Sequence, residues 1–210
     1  GGGLALGALH EIGGGGDGAL DGAAAALFAA GVATRARGPV LWIARELDVF
    51  APGLSQAGLK PGRVVHVAAP DDAALLSCFE EGLRHGGVGA VIAELRRLPM
   101  TASRRLQLAA EASGSLALAL RRWRRSADAA DFGQPTAALT RWRVSSLPSA
   151  PLPVPGIGRA RWLVELMRCR GGGSGDFVVE ACDGTGRLRL PADLGHGSRA
   201  PDAWRERAAG

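Results

Sequence analysis

Short apolar runs alternate with helical segments over the first 120 residues, and this alternation limits the fold more than any other feature of the sequence. Such an alternation is typical of a parallel sheet whose strands are joined by crossover helices. The predicted strands are residues 6–12, 39–44, 63–68, 88–95 and 115–120. We therefore expect five β/α units and an α/β fold up to residue 120.

The helical segments between these strands have recognisable ends. The predicted helices are residues 19–35, 51–59, 71–85 and 101–112. Asp71 has the side chain of a good N-cap, and Leu75, Phe79 and Leu83 recur at the spacing of one helix face. Thr101 is the predicted cap of the last helix.

The pattern changes after residue 120. Residues 121–138 are polar and interrupted by Gly and Pro, which predicts a long irregular loop. Runs that alternate with period two then predict antiparallel strands at residues 140–144, 161–170, 176–182 and 187–190, with GGGSG and DGTG as hairpin signals. We expect one domain over residues 1–190, made of a β/α core (1–122), the loop (121–138) and an antiparallel extension (139–190), followed by a flexible tail (191–210).

The composition excludes several classes of protein but does not by itself indicate a function. The chain is 47% hydrophobic and 21% charged, which excludes collagen, intrinsic disorder and a disulfide-stabilised mini-protein. Its 25 Lys and Arg residues against 20 Asp and Glu leave a net charge of only +5. This charge permits nucleic-acid binding without requiring it.

The cysteine spacing and the apolar segments exclude further sites. Cys78, Cys169 and Cys182 show none of the close spacings that bind zinc, so we expect neither a metal site nor a disulfide framework. The apolar stretch at residues 23–33 is too short to span a bilayer. We therefore expect a cytoplasmic protein that has no membrane partner.

A glycine cluster follows the first predicted strand and opens the first helix. Gly13, Gly15 and Gly18 fit a dinucleotide fingerprint, although four consecutive glycines make that match easy to obtain. Gly13 and Gly18 also fit the frame of a nucleoside-triphosphate loop, which requires Lys and Ser or Thr next, where this chain has Ala19 and Leu20. A glycine-rich turn without any ligand is the third interpretation, and we expect no cofactor and no efficient ATP hydrolysis.

Two acids follow predicted strands at the positions that an ATPase would use. Glu94 ends the fourth strand, where a Mg²⁺-coordinating acid would lie, and Glu46 follows the second, where a water-activating carboxylate would lie. Without a lysine or a hydroxyl opposite them, the alternative interpretation is that both are simply solvated acids at strand ends.

The whole arrangement resembles the RecA-type recombinase core, and within it the ImuA family. The resemblance covers residues 6–191 and is carried by GALHEI, GPVLWIARELDVFAPGLSQAGL, TASRRLQLAAEASG, TRWRV and above all RWLVELMRCRGGGSGDFVVEACDGTGRLRLP. It implies a non-catalytic protein of the SOS response that acts in translesion synthesis. The implied partners are ImuB, which is a Y-family polymerase homologue without polymerase activity, an error-prone replicative-type polymerase, and RecA itself.

Arginine-rich segments are the candidate DNA contacts. The run RRWRR contains Arg121, Arg122, Trp123, Arg124 and Arg125, and its guanidinium and indole groups could neutralise phosphates and stack on a base. Arg104 and Arg105, beside Arg96 and Arg97, are expected on the same side of the sheet. A solvated loop start with Trp123 packed into the domain is an equally weighted interpretation of the run, and any DNA contact is expected to be sequence-independent.

Three functions remain open on the sequence. The first is an adaptor in a mutagenic polymerase complex, and the second is a weak nucleotide-dependent DNA-binding ATPase or recombinase regulator. A nicotinamide oxidoreductase is the third and the poorest, because the chain contains no Tyr for a Tyr/Lys catalytic pair.

Overall fold

One sheet of eight strands organises the computed structural model, which describes residues 4–16, 18–123 and 129–191. Numbered along the chain, the strands are β1 (Ala8–Gly14), β2 (Val40–Ala44), β3 (Val64–Ala68), β4 (Ala90–Leu95), β5 (Leu116–Arg121), β6 (Thr140–Leu147), β7 (Arg161–Cys169) and β8 (Gly175–Glu180). Their order across the sheet is β3-β2-β4-β5-β1-β6-β7-β8. Strands β1 to β6 run parallel to one another, whereas β7 and β8 are antiparallel to their neighbours.

Four α-helices cover the two faces of this sheet in the described part of the chain. They are α1 (Ala19–Ala33), α2 (Ala51–Gln56), α3 (Asp72–Arg84) and α4 (Met100–Ser113). Helix α1 packs on β1, β5 and β6 with α2 against it, while α3 and α4 pack together on the opposite face. None of the helices in the described ranges is long and apolar enough to cross a membrane.

Each face of the sheet has its own apolar core, because successive side chains of a strand point to opposite faces. In β4, Ala90 and Ile92 join the core beneath α1, whereas Val91 and Ala93 join the core beneath α3 and α4. Strands β2, β4 and β5 are mostly apolar on both faces for this reason. Their carboxyl ends lie along one edge of the sheet, which is where the glycine loop follows β1.

The predicted β/α core is confirmed, with small shifts of its boundaries. All five predicted strands and all four predicted helices are present, and the Asp71 side chain accepts a hydrogen bond from the Ala74 backbone at 2.8 Å as an N-cap. The prediction of Thr101 as a cap is wrong. Helix α4 begins earlier, at Met100, because the Ser103 N–H donates to the Pro99 carbonyl at 2.9 Å and closes a first turn.

The predicted antiparallel extension is confirmed for β7 and β8. The prediction is wrong for its first strand, β6, and for its last, residues 187–190. Strand β6 is parallel to β1, with Thr140 opposite His10. After β5 the chain crosses over β1 and starts β6 at the edge of the sheet where β1 also starts. Residues 187–190 form only an isolated bridge between Arg189 and Glu180. The DGTG segment does reverse the chain, since the Asp183 carboxylate accepts hydrogen bonds from the backbones of Thr185 and Arg187 and the turn returns Arg189 to Glu180.

The predicted irregular loop is packed in its second half. A 3₁₀ helix spans Ala130–Gly133, and Phe132, Thr136 and Ala138 are buried. Residues 124–128 and the predicted tail beyond Pro191 lie outside the described residues. The assignment of residues 1–190 to a single domain stays a prediction.

Candidate functional site

The glycine loop continues β1 before it turns into α1. The Gly15 N–H donates to the Val144 carbonyl at 2.9 Å, which extends the pairing of β1 with β6 by one residue. Helix α1 then begins at Ala19, with Gly18 at the N-cap and no capping side chain. Leu20 is 77% exposed. The two positions that hold Lys and Ser or Thr in a nucleotide loop therefore present a methyl group and an isobutyl group to solvent.

Aromatic and acidic side chains lie against this loop. The Trp123 indole N–H donates to the Gly16 carbonyl at 3.3 Å. The Asp21 carboxylate accepts the Ser146 backbone N–H at 2.7 Å, and its second oxygen lies 3.1 Å from where a Cβ of Gly16 would be. The N-terminus of a helix ordinarily attracts anions, but a carboxylate in its first turn opposes a phosphate there.

The acids predicted at strand ends have different surroundings. Glu94 accepts a hydrogen bond from the Trp42 indole at 2.8 Å and from Arg122 at 2.7 Å, while Asp48 binds the same guanidinium at 2.8 Å. Burial raises the pKa of Glu94 above its ordinary value, although Arg122 acts in the opposite direction. Glu46 is exposed at the rim of a cavity of about 180 Å³ that Glu94 also lines. In this structure the Glu94 carboxylate is therefore engaged by Trp42 and Arg122.

A larger cavity of about 500 Å³ opens beside the glycine loop, between α1 and α2. Most of its lining is apolar or glycine, and its larger apolar side chains are Leu27, Val49, Phe50, Leu54 and Trp123. Its charged lining residues are Asp48, Arg121 and Arg122. A cavity of this size accommodates a small ligand or a few side chains of a partner.

Arg121, the first residue of the RRWRR run, lies in the core. It is 1% exposed, and its guanidinium pairs with Glu11 at 3.0 Å and with Asp131, and donates to the Arg96 carbonyl at 2.7 Å. The expectation that Arg121 contacts DNA is therefore wrong, because a guanidinium buried against two carboxylates cannot reach a phosphate.

The next two residues of the run are also engaged within the molecule. Arg122 binds Asp48 and Glu94, and Trp123 packs against Phe132 with ring centroids 5.5 Å apart. This arrangement agrees with the packed interpretation of Trp123. Arg124 and Arg125 lie outside the described residues.

The comparisons with known proteins give a family and a fold. Two strains of Caulobacter vibrioides, NA1000 / CB15N and ATCC 19089 / CIP 103742 / CB 15, have a protein named Protein ImuA that is 40% identical to this chain over 219 aligned positions. The alignment covers 98% of this chain and 89% of the Caulobacter protein. The chain belongs to the ImuA family. No protein-family model matches it.

The fold of this ImuA-family chain is RecA-like. The crystal structure of the RadB recombinase superposes with a TM-score of 0.60 at 14% identity, covering 90% of this chain and 92% of RadB. At that identity the likeness shows the fold alone. The recombinase core that the sequence resembles is thus confirmed.

The remaining predicted DNA contacts of the ImuA-family chain lie on α4 and next to it. Arg104 and Arg97 are exposed, and the structure records no ion pair for either within the described ranges. Arg105 pairs with Glu80, and Arg96 pairs with Asp72 at 3.3 Å. Of these four arginines, Arg104 and Arg97 are therefore the ones with charge available to a phosphate, and DNA contact at Arg104 and Arg105 stays a prediction.

Sequence reasoning missed a buried polar cluster centred on Glu11, which is fully buried in β1. Arg121 pairs with it from β5, and Arg141 pairs with it at 2.9 Å from β6. The Thr136 hydroxyl donates to the same carboxylate. The available signal was a glutamate inside the buried strand GALHEI, since a buried acid requires a cationic partner elsewhere in the chain.

Proposed function

We propose that this chain is a non-catalytic accessory protein of the bacterial SOS response that supports error-prone translesion DNA synthesis. In this role it contacts an ImuB-like Y-family polymerase homologue and an error-prone replicative-type polymerase, and it associates with RecA. It acts in the cytoplasm as an adaptor. Membership of the ImuA family together with a RecA-like fold supports the proposal.

The single observation that carries the non-catalytic role is the pair Ala19 and Leu20 after Gly18. Phosphoryl transfer depends on cations at the β- and γ-phosphates, and a Mg²⁺ ion held by the loop hydroxyl supplies part of that charge. Neither side chain offers a charge or an oxygen. The carboxylate of Asp21, in the first turn of α1, adds negative charge beside the loop.

The two arginines of the RRWRR run that the structure describes do not replace the missing lysine. Arg121 is buried in ion pairs, and Arg122 divides its charge between Glu94 and Asp48. The cavity beside the loop is mostly apolar, which suits side chains of a protein better than a triphosphate.

Nucleotide titration followed by thermal unfolding tests the non-catalytic role. A ligand at a hundred times its dissociation constant stabilises the native state by about 2.7 kcal/mol. We expect no shift with ATP or ADP, with or without Mg²⁺. A concentration-dependent rise of Tm with Mg²⁺-ATP would contradict the proposal.

Titration of purified ImuB-like polymerase homologue with this chain tests the adaptor role directly. We expect a saturable complex at physiological ionic strength. The same titration with RecA tests the second contact. Absence of a complex with each of these proteins would remove the adaptor function.

The alternative function is a weak nucleotide-dependent DNA-binding ATPase or recombinase regulator. The observation that favours it is the cavity of about 500 Å³ adjoining the glycine loop, which is large enough for a nucleotide base and sugar. Magnesium-dependent ATP turnover that is abolished in Glu94→Ala would establish this alternative.

A further inference from the structure

The connection between β6 and β7 exposes apolar side chains to solvent. Every residue from 148 to 157 is exposed. Leu152 is 45% exposed, Val154 is 65% exposed and Ile157 is completely exposed. Single exposed apolar residues are ordinary, but a continuous apolar patch usually marks an interaction site.

This connection is also longer than a hairpin requires. Strand β6 ends at Leu147 and β7 begins at Arg161, so thirteen residues join two adjacent antiparallel strands. Hairpin loops usually contain about two to five residues. Long loops in compact domains are usually functional or disordered, and contacts at the base of this one give it a defined shape.

The loop closes at its base and projects its tip. A Cβ on Gly158 would lie 2.8 Å from the Ala150 carbonyl oxygen, so the two chain segments touch there. A Cβ on Gly156 would lie 3.2 Å from the Leu152 side chain. Residues 151–157 therefore form a tip that extends beyond the closed base.

Proline stiffens this tip. The chain has prolines at positions 148, 151, 153 and 155, so Leu152 and Val154 each lie between two of them. Proline fixes its own φ and restricts the preceding residue to extended conformations. A stiff tip loses less conformational entropy when it binds than a flexible loop does.

The charge of the loop selects the class of partner. No residue from Val144 to Gly158 is charged. The next residue, Arg159, donates to the carbonyl oxygens of Ala181 at 2.9 Å and Arg187 at 3.2 Å. Without an available cation the loop has nothing to attract phosphates of DNA or of anionic lipids.

We propose that the tip formed by residues 151–157 docks into an apolar, aromatic-lined groove of a protein partner. Proline-rich segments are recognised by such grooves, in which neighbouring aliphatic side chains act as anchors. Leu152, Val154 and Ile157 are the anchors here. This inference rests on the proposed adaptor function and adds the surface through which the chain binds the ImuB-like polymerase homologue.

A pair of double variants tests this surface. The loop variant carries Val154→Ser and Ile157→Ser, and the control variant carries Leu108→Ser and Leu190→Ser at positions that are 65% and 71% exposed. Purified ImuB-like polymerase homologue is titrated with each full-length chain in a calorimeter. Because all four positions are exposed, we expect both variants to melt like the wild type.

We expect the control to bind as the wild type does and the loop variant to bind about 100-fold more weakly, since each lost anchor is worth about tenfold. If the wild type and the loop variant bind equally, the docking inference is wrong and the adaptor function stands. If the wild type does not bind, the docking inference and the proposed contact with the polymerase homologue are both wrong, and the contact with RecA is tested separately.

Two further measurements separate other occupants of the tip. Flotation with phosphatidylcholine and phosphatidylglycerol vesicles detects a membrane, and sedimentation velocity detects a second copy of the chain. We expect neither measurement to differ between the wild type and the loop variant. Loss of vesicle binding or of self-association in the loop variant, with unchanged binding to the polymerase homologue, would overturn the inference.

Discussion

Two neighbouring residues of β1, His10 and Glu11, place ionisable side chains in the two opposite cores of the sheet. The charges that surround these two side chains differ. Glu11 lies on the face covered by α4 and is surrounded by cations. His10 lies on the face covered by α1, and its hydrogen-bond partners among the described residues are uncharged. The difference shows how partners from distant strands decide whether a buried group carries a charge.

The Glu11 face holds a compact set of opposite charges. Arg121 and Arg141 bind the carboxylate from the two neighbouring strands, and Asp131 binds Arg121 from the 3₁₀ helix. The Phe132 ring lies 5.8 Å from one guanidinium and 5.3 Å from the other. These contacts attach the segment that follows β5 to the sheet. Arg121 and Arg141 therefore have a structural role.

On the face that holds His10, uncharged groups are linked by a chain of hydrogen bonds. The Nε2 of His10 lies 2.9 Å from the Ala5 carbonyl, which accepts only, so this nitrogen carries the proton. Nδ1 then accepts from the Thr140 hydroxyl at 2.7 Å, and that hydroxyl accepts from the Trp142 indole at 2.7 Å. Burial lowers the pKa of His10, so the imidazole is neutral.

Removal of the Glu11 carboxylate is the strongest way to break this comparison. We expect Glu11→Ala to reduce the free energy of unfolding by about 3–5 kcal/mol, because it leaves two buried guanidinium groups without their shared anion. Urea denaturation measures the change. The loss would exceed that of any exposed ion pair in the described chain.

Asp72→Ala is the matched control for Glu11→Ala. Asp72 also binds two arginines, Arg45 at 3.6 Å and Arg96 at 3.3 Å, but its side chain is 47% exposed. We expect a loss of about 0–1 kcal/mol, because water replaces such a partner. Equal losses in the two variants would mean that burial does not distinguish them.

A methyl group on Gly13 tests the packing of the same face. Its Cβ would lie 2.9 Å from the Phe132 ring and 3.0 Å from the Trp123 ring. We expect Gly13→Ala to reduce the free energy of unfolding by about 1–3 kcal/mol, because the added methyl group overpacks the core. Thermal or urea unfolding measures the change. Gly22→Ala is the control, because nothing lies within 4 Å of that Cβ and a helical alanine gains about 0.5–1 kcal/mol.

The hydroxyl of Thr140 is the corresponding test on the His10 face. Thr140→Val keeps the shape of the side chain but leaves His10 Nδ1 and the Trp142 N–H without a partner. We expect a loss of about 1–2 kcal/mol in urea unfolding. Thr101→Val on the exposed surface of α4 is the control, and a loss no larger than in that control would contradict the neutral chain.

Local patterns account for the parts of the fold that could be predicted. The five β/α units follow from apolar runs and caps such as Asp71, which are encoded within a few residues. The direction of β6 could not be predicted in this way. Alternation gives the same pattern for parallel and antiparallel strands, and the direction depends on how the chain crosses over β1.

The candidate site could be predicted where it depends on residue identity and not where it depends on distant contacts. Ala19 and Leu20 can be read directly after Gly18. Arg121 follows an apolar strand and opens a basic run, yet Glu11, which neutralises it, lies 110 residues away along the chain. A run of arginines therefore indicates nucleic acid only after their acidic partners are known.

The pH dependence of stability distinguishes the two faces with the smallest expected effect. The folded state lowers the pKa of His10 below its ordinary value of 6.5, so the unfolded chain binds this proton more tightly. The contribution of His10 to the free energy of unfolding is therefore fully present above about pH 6.5 and decreases as the pH falls below that value. One proton sets an upper limit of about 1.4 kcal/mol per pH unit. Urea denaturation between pH 5 and 8 measures this slope, and His10→Gln should reduce it while the exposed His66 and His85 remain. An equal slope in both proteins would mean that the imidazole is not held neutral by its surroundings.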